Sequence, residues 1–178
     1  GSLPEVAPNF WFYYKDDVTW PSTYLTVADM LYKQYGDSVS IAAHYASMKK
    51  WIFYMQKKYM GNFIISTDSY GDCYVPPESK ALIHSKDSSR MTPGALLATA
   101  TFYHDLQLMK KFAAIIHWYA DTSVYDDWSL KIKRAFNDTF YHPSKQYYAN
   151  NSATSNLLPL AFGLANKKDE AAIFQNII

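Results

Sequence analysis

Between Ala95 and Leu108 the chain reads ALLATATFYHDLQL, apolar or small at nearly every position. A helix lying on a protein surface carries a single apolar stripe, so one that is apolar on almost all sides must be covered on both flanks. That demand restricts the chain to folds in which one helix is enclosed by others. Thr92 and Pro93 stand just ahead, a Thr at the N-cap and a Pro at the first helical position, and predict a helix from Pro93 to about Ala120. Before it runs a long polar loop holding Asp68, Asp72, Glu78, His84, Asp87 and Arg90. Loops of this length in a compact domain are usually functional or disordered. Its Tyr, Pro and carboxylate content reads as an ordered segment lining a pocket at one end of the buried helix.

The other helices are amphipathic. Leu25, Ala28, Leu31, Tyr32 and Tyr35 form a stripe over 22–35 that Gly36 is placed to end. Ile41, Tyr45, Met48, Ile52 and Met55 form another over 38–59, with Lys49, Lys50, Lys57 and Lys58 on the wet face. Only Gly36 and Asp37 separate the two, which predicts an antiparallel hairpin. Asn62–Ser66 reads as a short strand. A fourth helix spans about 124–140, with Trp128, Leu130, Ile132, Ala135 and Phe136 inward; a fifth covers 156–164, with Pro159 in its first turn, and a sixth follows the charged NKKDE break. Inner apolar helix, short turn and outer lysine-bearing helix thus alternate three times. The expected fold is all-α, three consecutive helical hairpins of the kind that build toroids or solenoids. The irregular segment before each inner helix is expected at one end of the assembly. The final Ile177-Ile178 and the lack of a polar cap read as a partial domain, with an apolar face inviting self-association.

Composition narrows function by exclusion. A net charge of +1 with scattered basic residues gives no case for nucleic acid or an anionic membrane. The apolar runs fall well short of a membrane span. A single cysteine, Cys73, excludes an internal disulfide; it reads as a partly buried thiol, since a nucleophile needs a positioned base and His84 is only a remote candidate. Aromatics make up 17% of the chain, a load that suits a carbohydrate-handling surface or a core continuing into further sequence. Gly1-Ser2 reads as a cloning remnant.

Read on residues alone, Asp72 and Glu78, joined through Pro76-Pro77, are the best local carboxylate pair, with loop carboxylates accepting backbone N–H groups as the plainer alternative. His84, Asp87 and Arg90 fit either a sugar-binding cluster or a loop network. His104 reads as a core or pocket-lining residue, and no paired histidine spacing predicts a metal site. Asp105, Asp126 and Asp127 read as helix-surface charges.

The ordered segments EVAP, TWPSTYL, MLYKQYGD, YASMKKWIFYM, YGDCYVPPES, LIHSKD, ATATFYHDLQLM, AFNDTFYHPSKQYYANN and LLPLAFGL resemble the bacterial α-L-rhamnosidases of glycoside hydrolase family 78 across essentially the whole chain. The resemblance implies about half of a six-hairpin (α/α)6 toroid, from an inverting hydrolase that removes terminal L-rhamnose, needs no cofactor or metal and is periplasmic or secreted. It also implies that the catalytic acid lies in an acidic motif upstream of EVAP and the base in a Trp-Glu motif downstream of LPLAFGL. The chain would then carry part of the sugar site without the catalytic pair. By position Trp20 matches the family's sugar-facing Trp. Asp72 matches the Asp of a Gly-Asp-Trp segment whose aromatic is here Cys73. With Asp72, His84 and His104 this makes the expected set for L-rhamnose-containing glycans. Two alternatives stand beside it: a non-catalytic carbohydrate-binding toroid, and a helical repeat scaffold that binds a protein.

Overall fold

A computed structural model describes residues 1–6, 16–66, 68, 72 and 91–178. Six α-helices dominate it: α1 (Thr23–Tyr35), α2 (Ser38–Tyr59), α3 (Gly94–Ile115), α4 (Thr122–Phe140), α5 (Ala153–Ala161) and α6 (Glu170–Gln175). Two small antiparallel hairpins follow the outer helices, β1 (Met60–Gly61) with β2 (Ile64–Ile65) and β3 (Tyr141–His142) with β4 (Tyr147–Tyr148).

The first hairpin is set by local chemistry. Gly36 takes φ 69°, a left-handed value that suits glycine, and its N–H closes α1 on Tyr32 O at 2.9 Å. Asp37 then caps α2, its Oδ1 accepting from Val39 N at 3.0 Å and Ser40 N at 3.1 Å. With both ends fixed within two residues the helices run antiparallel. The predicted strand at 62–66 is instead a complete two-residue hairpin, because Asn62 and Phe63 both take positive φ (50° and 62°) and match the strand twist. The β3–β4 hairpin, anticipated only as a turn, follows α4 in the same way.

Cross-helix contacts give the packing sense. Ser22 meets Asp105 and Asp29 meets Lys111, so α1 and α3 advance in the same direction. Ser152, ahead of α5, meets Thr92, ahead of α3, while Phe162 past α5 stacks on His104. Hence α1, α3 and α5 are parallel inner helices. Gln107 reaches Ser129 and Lys110 reaches Asp126, which makes α4 antiparallel to α3. Three inner–outer hairpins result, as the sequence predicts.

Helix α3 is the enclosed element: Leu96, Ala98, Ala100, Phe102, Leu106, Met109, Phe112 and Ala113 are wholly buried. Each large side chain among them contributes about 1.5–3 kcal/mol of burial. Ala98 and Ala100 are small residues at wholly buried positions, where enlarging a side chain typically costs about 1–3 kcal/mol in overpacking.

Several expectations need correction. Helix α3 ends at Ile115 rather than near Ala120. Leu130 is 72% exposed, because the buried stripe of α4 runs through Tyr125, Ser129, Ile132, Phe136 and Phe140 and leaves Leu130 about 100° off it. Tyr35 is exposed at the end of α1, while Asp29 is buried between Lys33 and Lys111. Helix α5 starts at Ala153 because Ser152 Oγ accepts from Ser155 N at 3.1 Å, and Pro159 therefore lies inside the helix. Asp105 is no surface charge: it is fully buried.

Candidate functional site

The segments leading into the three inner helices meet at one end of the assembly. Trp20-Pro21-Ser22 precede α1, Met91-Thr92-Pro93 precede α3, and Asn150-Asn151-Ser152 precede α5. Thr92 does not cap α3; Pro93 holds the N-cap position, with an extended ψ of 130° and no side-chain cap. Freed from capping, the buried Thr92 hydroxyl donates to Asp72 Oδ2 at 3.1 Å and lies 2.5 Å from Ser152 Oγ. Asn150 Nδ2 donates to Met91 O at 3.0 Å, a second tie between the same two segments.

Asp68 joins α1's approach to this cluster. Its carboxylate accepts from the hydroxyl and backbone N–H of Thr19, the residue before Trp20. Its backbone lies against Gly94, where an added Cβ would fall 2.7 Å from Asp68 O. Glycine at the first position of α3 is thus required by the close approach of the 68 segment.

Trp20 is 48% exposed and stands on the turn closed by Ser22 N donating to Val18 O at 3.0 Å. It also lines a groove of about 740 Å³ with Leu3, Val6, Tyr24, Val27 and His44. The indole thus sits where the polar cluster meets an apolar flank. An exposed indole offers a π-face to the CH groups of a sugar, while carboxylates and hydroxyls nearby take its hydroxyls.

Ser22, which ends the Trp20 turn, contacts α3 directly. Its Oγ lies 2.7 Å from Val18 O and 2.5 Å from Asp105 Oδ2. Burial pushes the Asp105 pKa well above the carboxylate range, the Ser22 contact opposing only in part. Nothing in the sequence flagged Asp105, since an aspartate between His104 and Leu106 reads as one more helix charge.

The expected site residues therefore separate. Trp20 and Asp72 are tied to the shared end, Trp20 through Thr19–Asp68 and Asp72 through Thr92. His104 is not: it lies ten residues into α3, about 15 Å along the axis from Gly94. Its ring stacks on Phe162 with centroids 4.4 Å apart, and burial lowers its pKa, with Asp29 opposing. Glu78 and His84, with Gly71, Cys73, Asp87 and Arg90, lie outside the described residues. Among the described residues no group of three or more His, Cys, Asp and Glu is gathered to hold a metal ion. No helix there is long and apolar enough to cross a membrane.

Residues 1–177 match the family described as the bacterial alpha-L-rhamnosidase 6 hairpin glycosidase domain. An alpha-L-rhamnosidase of Formosa agariphila is 25% identical over the whole chain, and one of Streptomyces avermitilis is 27% identical over 92% of it. The chain spans only 19% and 14% of the lengths of these two relatives. Among solved structures, the alpha-L-rhamnosidase from Dictyoglumus thermophilum superposes on 99% of the chain with a TM-score of 0.84 at 32% identity; the chain covers 19% of it. The Streptomyces avermitilis alpha-L-rhamnosidase complexed with L-rhamnose superposes on 89% of the chain with a TM-score of 0.75. At 23% identity that second likeness speaks for the fold, and the chain covers 14% of that structure.

Proposed function

The chain belongs to the bacterial α-L-rhamnosidase six-hairpin glycosidase family, and from that premise we propose that it supplies one part of the sugar site of a rhamnoside hydrolase. The observation that carries this reading is the convergence of Trp20, Asp68, Asp72, Thr92 and Ser152 where α1, α3 and α5 begin. In this reading the exposed Trp20 indole takes the apolar face of L-rhamnose. Asp72, oriented by Thr92, accepts from a sugar hydroxyl. His84 is proposed as a further residue for the sugar, and Glu78 as the local carboxylate partner of Asp72, both by sequence alone. His104, deeper along α3, acts on the wall behind the site rather than on the sugar rim.

The proposed parent reaction is inverting hydrolysis of terminal α-L-rhamnosides. Inversion requires a carboxylic acid on the leaving oxygen and a carboxylate on the attacking water, about 6.5–9.5 Å apart to admit that water. Both are assigned to other parts of the larger enzyme, so this chain by itself binds without turning over.

The test is hydrolysis of an aryl α-L-rhamnoside by this chain beside a protein extended in both directions. Turnover by the extended protein alone, with the β-anomer as first product by NMR, is the expected result. Turnover by the 178-residue chain would place the acid and base within it and make Asp72 and Glu78 the leading pair. Rhamnose binding with no hydrolysis by either protein would favour a non-catalytic sugar-binding toroid.

A further inference from the structure

We propose that Asp105 is a neutral carboxylic acid whose proton clamps the Trp20 turn onto α3, which makes it a positioning residue for the exposed indole. The role of Trp20 rests on the sugar-site reading; the proton on Asp105 does not.

Ser22 has too few protons to serve both of its oxygen neighbours. A serine hydroxyl has one hydrogen to give. Ser22 Oγ has two oxygen neighbours, Val18 O at 2.7 Å and Asp105 Oδ2 at 2.5 Å. The Val18 carbonyl can only accept. With Asp105 ionised both neighbours would be acceptors, and one contact would press two oxygens together with no hydrogen between them. A proton on Asp105 removes the conflict: Asp105 Oδ2–H donates to Ser22 Oγ, and Ser22 Oγ–H donates to Val18 O. The chain Asp105–Ser22–Val18 then closes the turn that displays Trp20.

The surroundings agree. Asp105 is wholly buried, and its Oδ1 has no hydrogen-bond partner among the described residues. A buried carboxylate with one oxygen lacking a protein partner is costly, whereas a neutral acid is tolerated. Among the described residues no counter-charge is at hand. On the α1–α3 seam Lys33 and Lys111 are both paired with Asp29. His104 stacks on Phe162, and burial disfavours its cation. Asp17 and Asp68, on the segments beside the turn, bring no positive charge. Lys49 of α2 is paired with Asp121, Lys110 of α3 is paired with Asp126 of α4, and α5 has no charged residue.

The direct test is the infrared difference between the wild-type chain and Asp105→Asn at neutral pH. The expected difference is one carboxylic-acid carbonyl band with no carboxylate bands; carboxylate bands would overturn the proposal. Asn keeps an N–H for Ser22 Oγ and so should preserve the turn. Wild-type stability relative to Asp105→Asn should then fall with rising pH, the ratio of unfolding constants changing about tenfold per unit between the usual aspartate pKa and that of Asp105. A ratio independent of pH would contradict a buried proton. If Asp105→Asn does not fold, wild-type protein labelled at the aspartate carboxyl carbons gives the same answer by NMR: one carbon stays protonated at neutral pH, or, against the proposal, all ionise in the usual range. As a positioning readout, Asp105→Asn should retain L-rhamnose affinity and Asp105→Val should lose it. Absence of rhamnose binding in every protein would count against the sugar site and leave the infrared result standing.

Discussion

Thr92 and Ser152 stand 60 residues apart in sequence, yet their hydroxyl oxygens lie 2.5 Å apart where α3 and α5 begin. That contact and the Thr92–Asp72 bond join two inner-helix starts to the loop carboxylate. Replacing Thr92 by Val preserves shape and removes both bonds. About 1–3 kcal/mol of stability should be lost, since Asp72 and Ser152 each give up a partner. Chemical denaturation measures that loss. Rhamnose affinity should fall further than in Ser152→Ala, which leaves the bond to Asp72 in place.

Gly94 gives a steric prediction. A methyl group there would sit 2.7 Å from Asp68 O and 3.0 Å from Asp68 N, both backbone atoms that cannot swing aside. Gly94→Ala favours the helix by propensity, yet should destabilise by about 1–3 kcal/mol through this clash. Because Asp68 holds Thr19, the substitution should also alter Trp20 fluorescence. A stabilised Gly94→Ala with unchanged emission would show that the 68 segment yields freely.

Asp16 gives a pH prediction that does not involve the proposed sugar contacts. Burial pushes its pKa up, but hydrogen bonds from Ser2, Tyr59, Lys58 and Tyr54 outweigh it and hold the carboxyl well below its ordinary value. Tyr59 and Tyr54 donate at 2.6 and 2.7 Å and Lys58 at 2.9 Å, tying the 16 segment to the end of α2. A depressed folded-state pKa means stability present above the unfolded value and lost as pH falls through the folded one. Asp16→Asn should therefore cost on the order of 2 kcal/mol at neutral pH. Its penalty should shrink steadily below about pH 4. Urea unfolding of both proteins across the acid range checks the sign.

The apolar groove beside Trp20, with exposed Val27 and Met30 on α1, predicts self-association of the isolated chain. Light scattering should give a mass that rises with concentration, and Val27→Lys should suppress the rise. A monomer at all concentrations would count against this.

Much of this architecture was legible because short-range chemistry dictates it. Gly36 and Asp37 delimit α1 and α2 within a residue, and the all-round apolar run from Ala95 announces an enclosed helix. Trp20 enters as an expectation through family resemblance alone, since its exposure is invisible to periodicity. What failed depended on distant partners. Thr92 looks like a cap until Asp72 and Ser152, both remote in sequence, claim its hydroxyl. Asp105 looks like a surface charge because only Ser22, 83 residues away, reveals its burial. Leu130 looks like core because the inward place beside it goes to Ser129, which is satisfied by Gln107. His104 has the chemistry of a sugar ligand, and the sequence alone does not show that it lies about 15 Å along α3 from Gly94.

The central claim is that Trp20 is a sugar platform at the end where the inner helices begin. The most direct measurement is titration of the chain with L-rhamnose, beside Trp20→Ala and Trp118→Ala. Trp118 is also exposed, at 54%, but lies past the opposite end of α3 and stacks on Tyr45. The account predicts saturable binding that is lost in Trp20→Ala and kept in Trp118→Ala. Binding unchanged by Trp20→Ala would contradict it.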